Sequence, residues 1–557
     1  MEPTHRAGNT LDLAWTNVKE TMAWVGTEEC MTSDHLPLCG FVPYLKESSK
    51  SLTTFTGKLR VPESNLPQFV RVVSRLLPTL TVLSSSEETE FFAQNLCWAL
   101  ENALKAAGKR PNKKSGRSAP WWTLECKSAR LEYQEAVEES ERWTQARNFR
   151  ATVASAKREH WRRKVEDMRS NQDAFKLMRW ATSGNTNITP PLRHKGKFIS
   201  DQAERALILR DSLLARFSAS DDLSPCIISG EERIPWSEEL TELEVRACTI
   251  GSGNTSPGAD GISVELLSAC WDTIERHVTQ LFRACLRLGY HPTCFKLAEV
   301  VFLPKPGRDP SSVKGWRPIS LLSCLGKGLE RILAKRMSHL AIAWDVVGRQ
   351  QFGALPKRSS TDLVTCVVHD IEEAKTQGWA STLVTLDIQG AFDAVLHNRL
   401  IWRMQAQGWP KKILKWTSSF LENRKVQVRF QGGVTNSKEL ECGVPQGSPI
   451  SPLLFLLYMA EPMRSGNVIA RFSYADDIGI LGFGRTVFDS AAAAQREVDN
   501  LTNWAHQNAV LFDSEKSEVV QFPGRKKEEP VGVLVGGNMI QPANHIRWLG
   551  IYLDPNL

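Results

Sequence analysis

The segment Ile469-Ala-Arg-Phe-Ser-Tyr-Ala-Asp-Asp-Ile-Gly-Ile-Leu481 constrains this chain more than any other, because two apolar runs flank adjacent carboxylates at Asp476 and Asp477. An alternating run, a polar break and a second apolar run predict strand, tight turn and strand. Such a turn holds both carboxylates at the rim of a sheet, where a cation can reach them. Aspartate also suits turns for its own reasons, since its side chain bonds nearby backbone, so the pair alone is satisfied by a structural reading. A second apolar strand, Thr382-Leu-Val-Thr-Leu, ends in Asp387 and changes the balance. If Asp387 and Asp476 converged within ~4 Å, their repulsion would be about 4 kcal/mol at an effective dielectric of 20. A sheet would not gather these charges for stability. A divalent ion removes the conflict, so carboxylates that meet there form a metal site.

Composition sets the class around this feature. With 557 residues, 42% hydrophobic and 24% charged, the chain reads as an ordinary globular protein of about three to four domains. No apolar run approaches the roughly 20 residues of a membrane span, and Met-Glu-Pro-Thr-His-Arg lacks the apolar core of a secretory signal. The 12 cysteines include no Cys-x-x-Cys pair, so they are expected to be reduced, small buried residues and not a zinc site. Between Lys105 and Ser170 there are 17 Lys and Arg against 9 Asp and Glu, a net of +8 in a chain of net charge +7. A basic segment in an otherwise neutral protein suits contact with a phosphate backbone; a solvated helix face fits the same count.

Taken in order, Asn9-Thr-Leu-Asp-Leu-Ala-Trp-Thr-Asn17 alternates like a strand, and Ser33-Asp34-His35 follows. Lys109 to Arg117 is a basic linker containing Pro and Gly. Pro120-Trp121-Trp122 opens a charged helical stretch running to about Trp180. Leu131, Ala136, Trp143, Phe149, Trp161 and Met168 give it only a ragged apolar stripe, as in a helix or helical pair lying on a partner. Tryptophans interleaved with basic residues can grip RNA by charge and stacking; a spacer packing its own tryptophans reads the same. From about Glu239 the pattern becomes compact alternating helix and strand. A helix carries Leu266, Cys270, Ile274, Val278, Leu281 and Cys285 on one face and ends near Gly289. A strand Glu299–Leu303 leads to the basic turn Lys305-Pro-Gly-Arg308, and Trp316-Arg317-Pro-Ile-Ser-Leu leads into a helix through Leu325, Leu329, Ile332 and Met337. After Asp387 the turn Ile388-Gln-Gly-Ala is expected to deliver Phe392 and Asp393 onto the following helix. Gly443-Val-Pro-Gln-Gly447 is a loop opening an apolar helix from about Ile450 to Met463. Lys516-Ser-Glu precedes another strand, and Arg547-Trp-Leu-Gly-Ile-Tyr-Leu553 reads as a short apolar strand.

Strand–Asp, Pro-Gln-Gly loop with helix, and strand–Asp-Asp hairpin, in this order, resemble the fingers and palm of reverse transcriptases from non-LTR (LINE-type) retrotransposons. The resemblance also rests on Lys305-Pro-Gly, Arg317-Pro-Ile-Ser-Leu, Lys327 with Glu330, Gln351-Phe-Gly353, Leu386-Asp-Ile-Gln-Gly-Ala-Phe-Asp393 and Trp548-Leu-Gly550. It implies an α+β fold: an antiparallel palm sheet with helices on one side, preceded by a basic helical linker and a short β remnant of a nuclease. The expected domains are 1–45, a nuclease C-terminal remnant; 46–235, a mostly helical extension; and 236–557, fingers and palm without a thumb.

The resemblance implies an RNA-directed DNA polymerase using two Mg²⁺, with Mn²⁺ able to substitute. Asp387 and Asp476 would hold the ions, Asp477 would support them, and the Ile388 carbonyl would be a further ligand. Phe392 would press on the sugar and exclude a 2′-hydroxyl. Gln446 and Gly447 would contact nucleotide and template, Lys305 and Arg317 the phosphates, and Lys516 would protonate the leaving group. RNA template, DNA primer or target site and dNTPs are the implied partners, in the nucleus and in a cytoplasmic ribonucleoprotein, with no membrane. Asp34 and His35 match the Asp-His dyad of endonuclease/exonuclease/phosphatase-type nucleases, whose upstream metal ligands have no room before Met1, so no complete nuclease is expected. The carboxylates look intact while both ends look cut, as in an incomplete copy of such an element. An inactive nucleic-acid-binding relic and an organellar intron maturase are the alternative readings.

Overall fold

The structure is a computed structural model, and it describes residues 22–25, 38–41, 52–54, 57–110, 121–136, 138–166, 190–214, 218–430, 433–464, 471–525 and 528–557. Asp34, His35 and the alternating run at Asn9–Asn17 lie outside the described residues; the flanking strands Met22–Val25 and Leu38–Phe41 pair antiparallel.

The chain forms two compact units. Residues 57–60 and 109–191 make the smaller; the remainder, including 61–108 and 192–557, makes the larger. The stretch 46–235, read from sequence as one extension, is thereby divided, because the helices Leu66–Leu76 and Ser86–Ala107 bury Phe69, Phe92, Leu96 and Leu100 in the larger unit.

In the smaller unit the charged stretch is a helical pair, Leu124–Glu135 and Glu139–Glu166. Thr123 caps the first helix by accepting from the Cys126 amide, satisfying one of the amides that a helix start leaves open. Its contacts are aromatic: Phe149 stacks on Tyr133 at 6.3 Å and meets Trp122 edge-on at 6.0 Å. The Lys157 ammonium lies 4.6 Å from the Trp121 ring centroid. Trp143 remains 71% exposed and Trp161 42% exposed, which is the raggedness of the apolar stripe seen in space.

Among the described residues the larger unit holds two sheets of five or six strands, beside four two-stranded pairs. The first runs Leu52–Thr54, Gly433–Thr435, Lys425–Phe430, Leu297–Pro304, Trp316–Leu321, with Lys438–Glu439 added beside Lys425–Phe430. Its core is Ala298, Val300, Phe302, Trp316, Val426 and Val428, onto which the helix Gln202–Leu213 brings Ala206 and Leu209. The hairpin joining Leu297–Pro304 to Trp316–Leu321 carries the basic turn at its tip. The second sheet is the palm, ordered Glu518–Phe522, Ala380–Asp387, Asp477–Gly484, Arg471–Tyr474, Gln351–Phe352. All its pairings are antiparallel except the last.

The helical face predicted for Leu266 to Cys285 is buried throughout, and Gly289 ends it in the left-handed conformation at φ 67°. Cys270 divides it into Val264–Ala269 and Trp271–Leu288. The apolar helix after the Pro-Gln-Gly loop is likewise two pieces, Ser451–Tyr458 and Ala460–Arg464. Two expectations need correction. Phe392 and Asp393 sit in the turn before the helix His397–Ala406, not on it, since only Ala394 closes a helical bond there, to the Gly390 carbonyl at 2.8 Å. Arg547–Leu553 is not one strand but a hairpin of Ile546–Trp548 with Ile551–Leu553. Leu549 and Gly550 at its tip have φ of 50° and 86°, the two positive angles of a type I′ turn. That hairpin buries Ile546, Trp548 and Leu553 in the palm core with Leu383, Phe472 and Val520. Among the described residues no helix is long and apolar enough to cross a membrane.

Candidate active site

The strand Ala380–Asp387 is buried along its length until its last residue, the half-buried Asp387. Its antiparallel neighbour begins at Asp477, and the register places Asp477 directly opposite Asp387. Directly opposed residues in an antiparallel pair have their Cβ atoms roughly 4.5–5.5 Å apart. Tyr474 pairs with Asp477, leaving Ala475 and Asp476 as the two-residue turn. Ala475 is held at φ 54°, a conformation that L-residues reach only when their surroundings enforce it. The enforcement is visible: the Ser473 amide donates to the Gln350 carbonyl at 3.0 Å and the Ala475 amide to the Phe352 carbonyl at 3.1 Å. Gln351-Phe-Gly353 is therefore the brace that fixes the Asp-Asp turn.

Three carboxylates thus share one sheet end. Burial, then the neighbouring Asp476 and Asp387, push the Asp477 carboxyl up to about 6. Burial raises Asp476 as well, with Asp387 adding to it and Lys516 and Arg317 opposing. Burial penalises the charged form and like charges compound the penalty. The donor set is hard oxygen, the kind that magnesium and manganese take. A fourth oxygen is at hand in Ile388, which bridges Phe512; that bridge engages the Asp387 carbonyl, through the Asp513 amide at 2.9 Å, and the Gln389 amide, to the Leu511 carbonyl at 2.8 Å. The Ile388 carbonyl stays out of it. These residues fit a divalent cation.

Cations ring the carboxylates. Lys516 donates to Asp387 Oδ2 and lies 3.3 Å from Asp513 Oδ2. Burial alone would lower its ammonium, but the bond to Asp387 and the charges of Asp387 and Asp513 raise it. Lys305 sits at the hairpin tip, its amide bonded to the Gly315 carbonyl at 2.8 Å. Burial lowers its ammonium, and Lys516, Arg317 and Arg308 lower it further, so these four cations share one neighbourhood. Arg317 is exposed on Trp316–Leu321.

The Pro-Gln-Gly loop completes the site. The Val444 amide donates to the Phe392 carbonyl at 2.7 Å, and the Gly443 amide to Val395 at 2.8 Å. This sews the loop to the turn after Asp387, where the half-buried Phe392 ring packs 5.6 Å from that of Phe455. At the other end the Ser320 amide donates to the Gln446 carbonyl at 2.7 Å. Gly447 has φ 136°, and a Cβ there would stand 2.3 Å from the Ser320 carbonyl oxygen. Its close backbone approach is therefore to the Trp316–Leu321 strand. Below the loop, Ser448 donates to the fully buried Glu330. Burial raises the Glu330 carboxyl, while Arg424, the Ser448 bond and Lys327 oppose it.

Sequence reading assigned no role to Asp513, Ser448 or Arg424. Asp513 had a signal, its three-residue spacing from Lys516. Arg424 had none, because its place depends on the fold.

The family model described as reverse transcriptase (RNA-dependent DNA polymerase) matches residues 303–553. The RNA-directed DNA polymerase from mobile element jockey of Drosophila funebris is 29% identical over 310 residues, 54% of this chain and 34% of that protein. The probable RNA-directed DNA polymerase from transposon X-element of Drosophila melanogaster is 30% identical over 57% of this chain and 35% of its own length. The corresponding protein from transposon BS is 24% identical over 100% of this chain and 64% of its own length. The chain thus spans about a third of the first two relatives. An apo telomerase structure from Candida tropicalis aligns with TM-score 0.33 and 11% identity, covering 80% of this chain and 96% of that one. The matched residues carry the Asp387 strand, the Pro-Gln-Gly loop and the Asp-Asp hairpin in one α+β palm, and residues 303–553 are a reverse transcriptase domain of the non-LTR retrotransposon kind.

Proposed function

We propose that this chain is an RNA-directed DNA polymerase, joining dNTPs to a primer 3′-hydroxyl against an RNA template. The observation that supports this most is the register that sets Asp477 opposite Asp387, with Asp476 in the adjoining turn and Lys516 against Asp387. Asp387 and Asp476 would hold two Mg²⁺, or Mn²⁺, with Asp477 in support and the Ile388 carbonyl as a further oxygen. Bound there, the ions supply an activated 3′-hydroxyl and charge neutralisation at the triphosphate and departing pyrophosphate.

The chain's own groups do the rest. Lys305 and Arg317 meet the phosphate oxygens, Arg through its planar fork. Phe392 presses on the sugar from the turn after Asp387, selecting deoxynucleotides. Gln446 and Gly447 form the floor beneath nucleotide and template, held by Ser320 on one side and Phe392 on the other. Lys516, an ammonium beside the reacting centre, gives its proton to the leaving group. Exposed Trp143 and Trp161 on a basic helical pair offer stacking faces for RNA. The site of action is the nucleus, as a ribonucleoprotein assembled in the cytoplasm. No nuclease role is assigned to Asp34 and His35.

Primer extension on an RNA template with Mg²⁺ tests this. Wild type is expected to extend and Asp476→Asn to fail, both still binding RNA. Equal and negligible extension by the two, with binding retained, would make the chain a nucleic-acid-binding relic and end the proposal.

A further inference from the structure

The contact between Lys516 and Asp387 poses a question that the polymerase reading leaves open. A carboxylate committed to an ammonium is a poor ligand, yet Asp387 must be free to take a divalent ion. The answer lies in the second carboxylate. The Lys516 ammonium donates to Asp387 and also stands 3.3 Å from Asp513 Oδ2. An ammonium has three donors, so it can satisfy either carboxylate or both. The Asp513 amide donates to the Asp387 carbonyl at 2.9 Å, and the Asp513 carbonyl accepts from the Lys516 amide at 3.0 Å. Those bonds fix the turn Asp513–Lys516 to the end of the Asp387 strand. The lysine can therefore change partners by side-chain rotation alone, with no backbone movement.

We infer that Lys516 is a built-in counter-ion at Asp387 that moves onto Asp513 when a divalent cation binds, making Asp513 a positioning residue for metal loading. The inference rests on the two-metal reading of Asp387 and Asp476. Its physical logic is charge exchange. Without a metal, three carboxylates crowd one sheet end, and the ammonium offsets part of their repulsion. A divalent ion on Asp387 repels the ammonium twice as strongly as a monovalent one would. Asp513 gives the displaced charge a partner at once, so release of Asp387 does not strand an ammonium beside the metal. It also keeps the lysine close to where the triphosphate arrives. Asp513 is the more buried of the two, with side-chain exposure of 17% against 48% for Lys516.

Titrating the full chain with Mn²⁺, followed by electron paramagnetic resonance with no nucleotide present, reads this exchange directly. Lys516→Met is expected to bind Mn²⁺ roughly tenfold more tightly, because the competitor is gone. Asp513→Asn is expected to bind it roughly three- to tenfold more weakly, because the lysine then has Asp387 alone. The double variant should show the Lys516→Met affinity, since Asp513 acts only through the lysine, and Asp513→Glu should recover wild-type affinity. Unchanged Mn²⁺ affinity in Asp513→Asn overturns the inference, and so does a double variant in which the two effects simply add. A purely structural Asp513 would lower the melting temperature equally with or without Lys516 and would not be suppressed by its removal. Primer extension is a separate readout: coupling without extension refutes the polymerase reading and leaves the exchange standing, whereas wild type that extends without the coupling does the reverse.

Discussion

Two groups of buried charge flank the Pro-Gln-Gly loop, and they are built on opposite rules. At the palm end, Asp387, Asp476 and Asp477 are half-buried groups of one sign, and Asp477 is pushed up to about 6 by burial and its neighbours. Behind the loop, Glu330 and Arg424 are almost fully buried groups of opposite sign. Burial brings the Arg424 guanidinium down to about 10, with Glu330 opposing the shift. It donates to the Phe420 carbonyl at 2.9 Å and lies 4.6 Å over the Phe420 ring. Opposite charges sealed from water hold a structure together only while both are present. Like charges left at a rim repel one another, and on the polymerase reading a cation offsets that repulsion. Perturbed ionisation alone therefore does not mark a functional group; sign and access do.

This contrast predicts opposite outcomes for substitutions at the two places. On the polymerase reading, Asp476→Asn should reduce nucleotide incorporation by at least about a thousandfold, since the proposed metal ligand acting on the transition state is lost. Its melting temperature should hold or rise, because one of three mutually repelling charges is removed; a clear fall would mean that the carboxylates stabilise one another and would break the comparison. Glu330→Ala should do the reverse. It removes the carboxylate charge that offsets burial of the Arg424 guanidinium, together with the Ser448 bond, at a cost of about 2–4 kcal/mol, measurable as a shift in urea midpoint. Pairing it with Arg424→Met should recover most of that loss, which an independent role for either residue would not allow. Gly447→Ala comes next, at about 1–3 kcal/mol for a strained φ. The larger sign of that change should be a raised KM for dNTP, because the new Cβ forces the loop off the Ser320 carbonyl.

How far the sequence reached follows the same division. The palm strands, the Asp-Asp turn and the buried helical face from Leu266 to Cys285 were legible because period-2 and period-3.6 patterns are local. The pairing of Asp387 with Asp477 was legible only through the order of several motifs. What stayed hidden is tertiary. Arg424 lies in an unremarkable Asn-Arg-Lys stretch, and nothing local says that it is sealed behind the loop. Gly447 read as a contact for nucleotide and template, and nothing local showed that its backbone also lies against the Ser320 carbonyl. Arg547–Leu553 read as one strand because apolar residues run nearly through it, whereas the positive φ at Leu549 and Gly550 makes the turn. Phe392 was placed on a helix because helical residues follow it; the Val444 amide takes its carbonyl instead.

The smallest effect expected comes from the neutral member of the cluster behind the loop. His291 is fully buried, with its ring edge-on to Trp416 at 5.3 Å and to Phe420 at 5.2 Å. Neither ring nitrogen has a hydrogen-bond partner among the described residues. Burial, with Arg424 and Lys296 adding to it, holds its ionisation well below the ordinary 6.5. The unfolded chain thus binds a proton near pH 6.5 that the folded chain refuses, so stability is fully present above that pH and falls below it. One such histidine contributes a slope of about 1.4 kcal/mol per pH unit at most. His277 and His397, also lowered chiefly by burial, add to the slope in the same direction. Urea midpoints between pH 7 and 5 should show the decline in wild type and a shallower one in His291→Leu. That variant should also be no less stable at pH 7, since it removes two unpaired nitrogens from an aromatic cage. An unchanged slope would mean that His291 gains a proton in place, which a ring facing Arg424 and Lys296 could accept only if the Glu330 charge reached it, and the sealed cluster would then be one shared charge network and not a pair with a neutral neighbour.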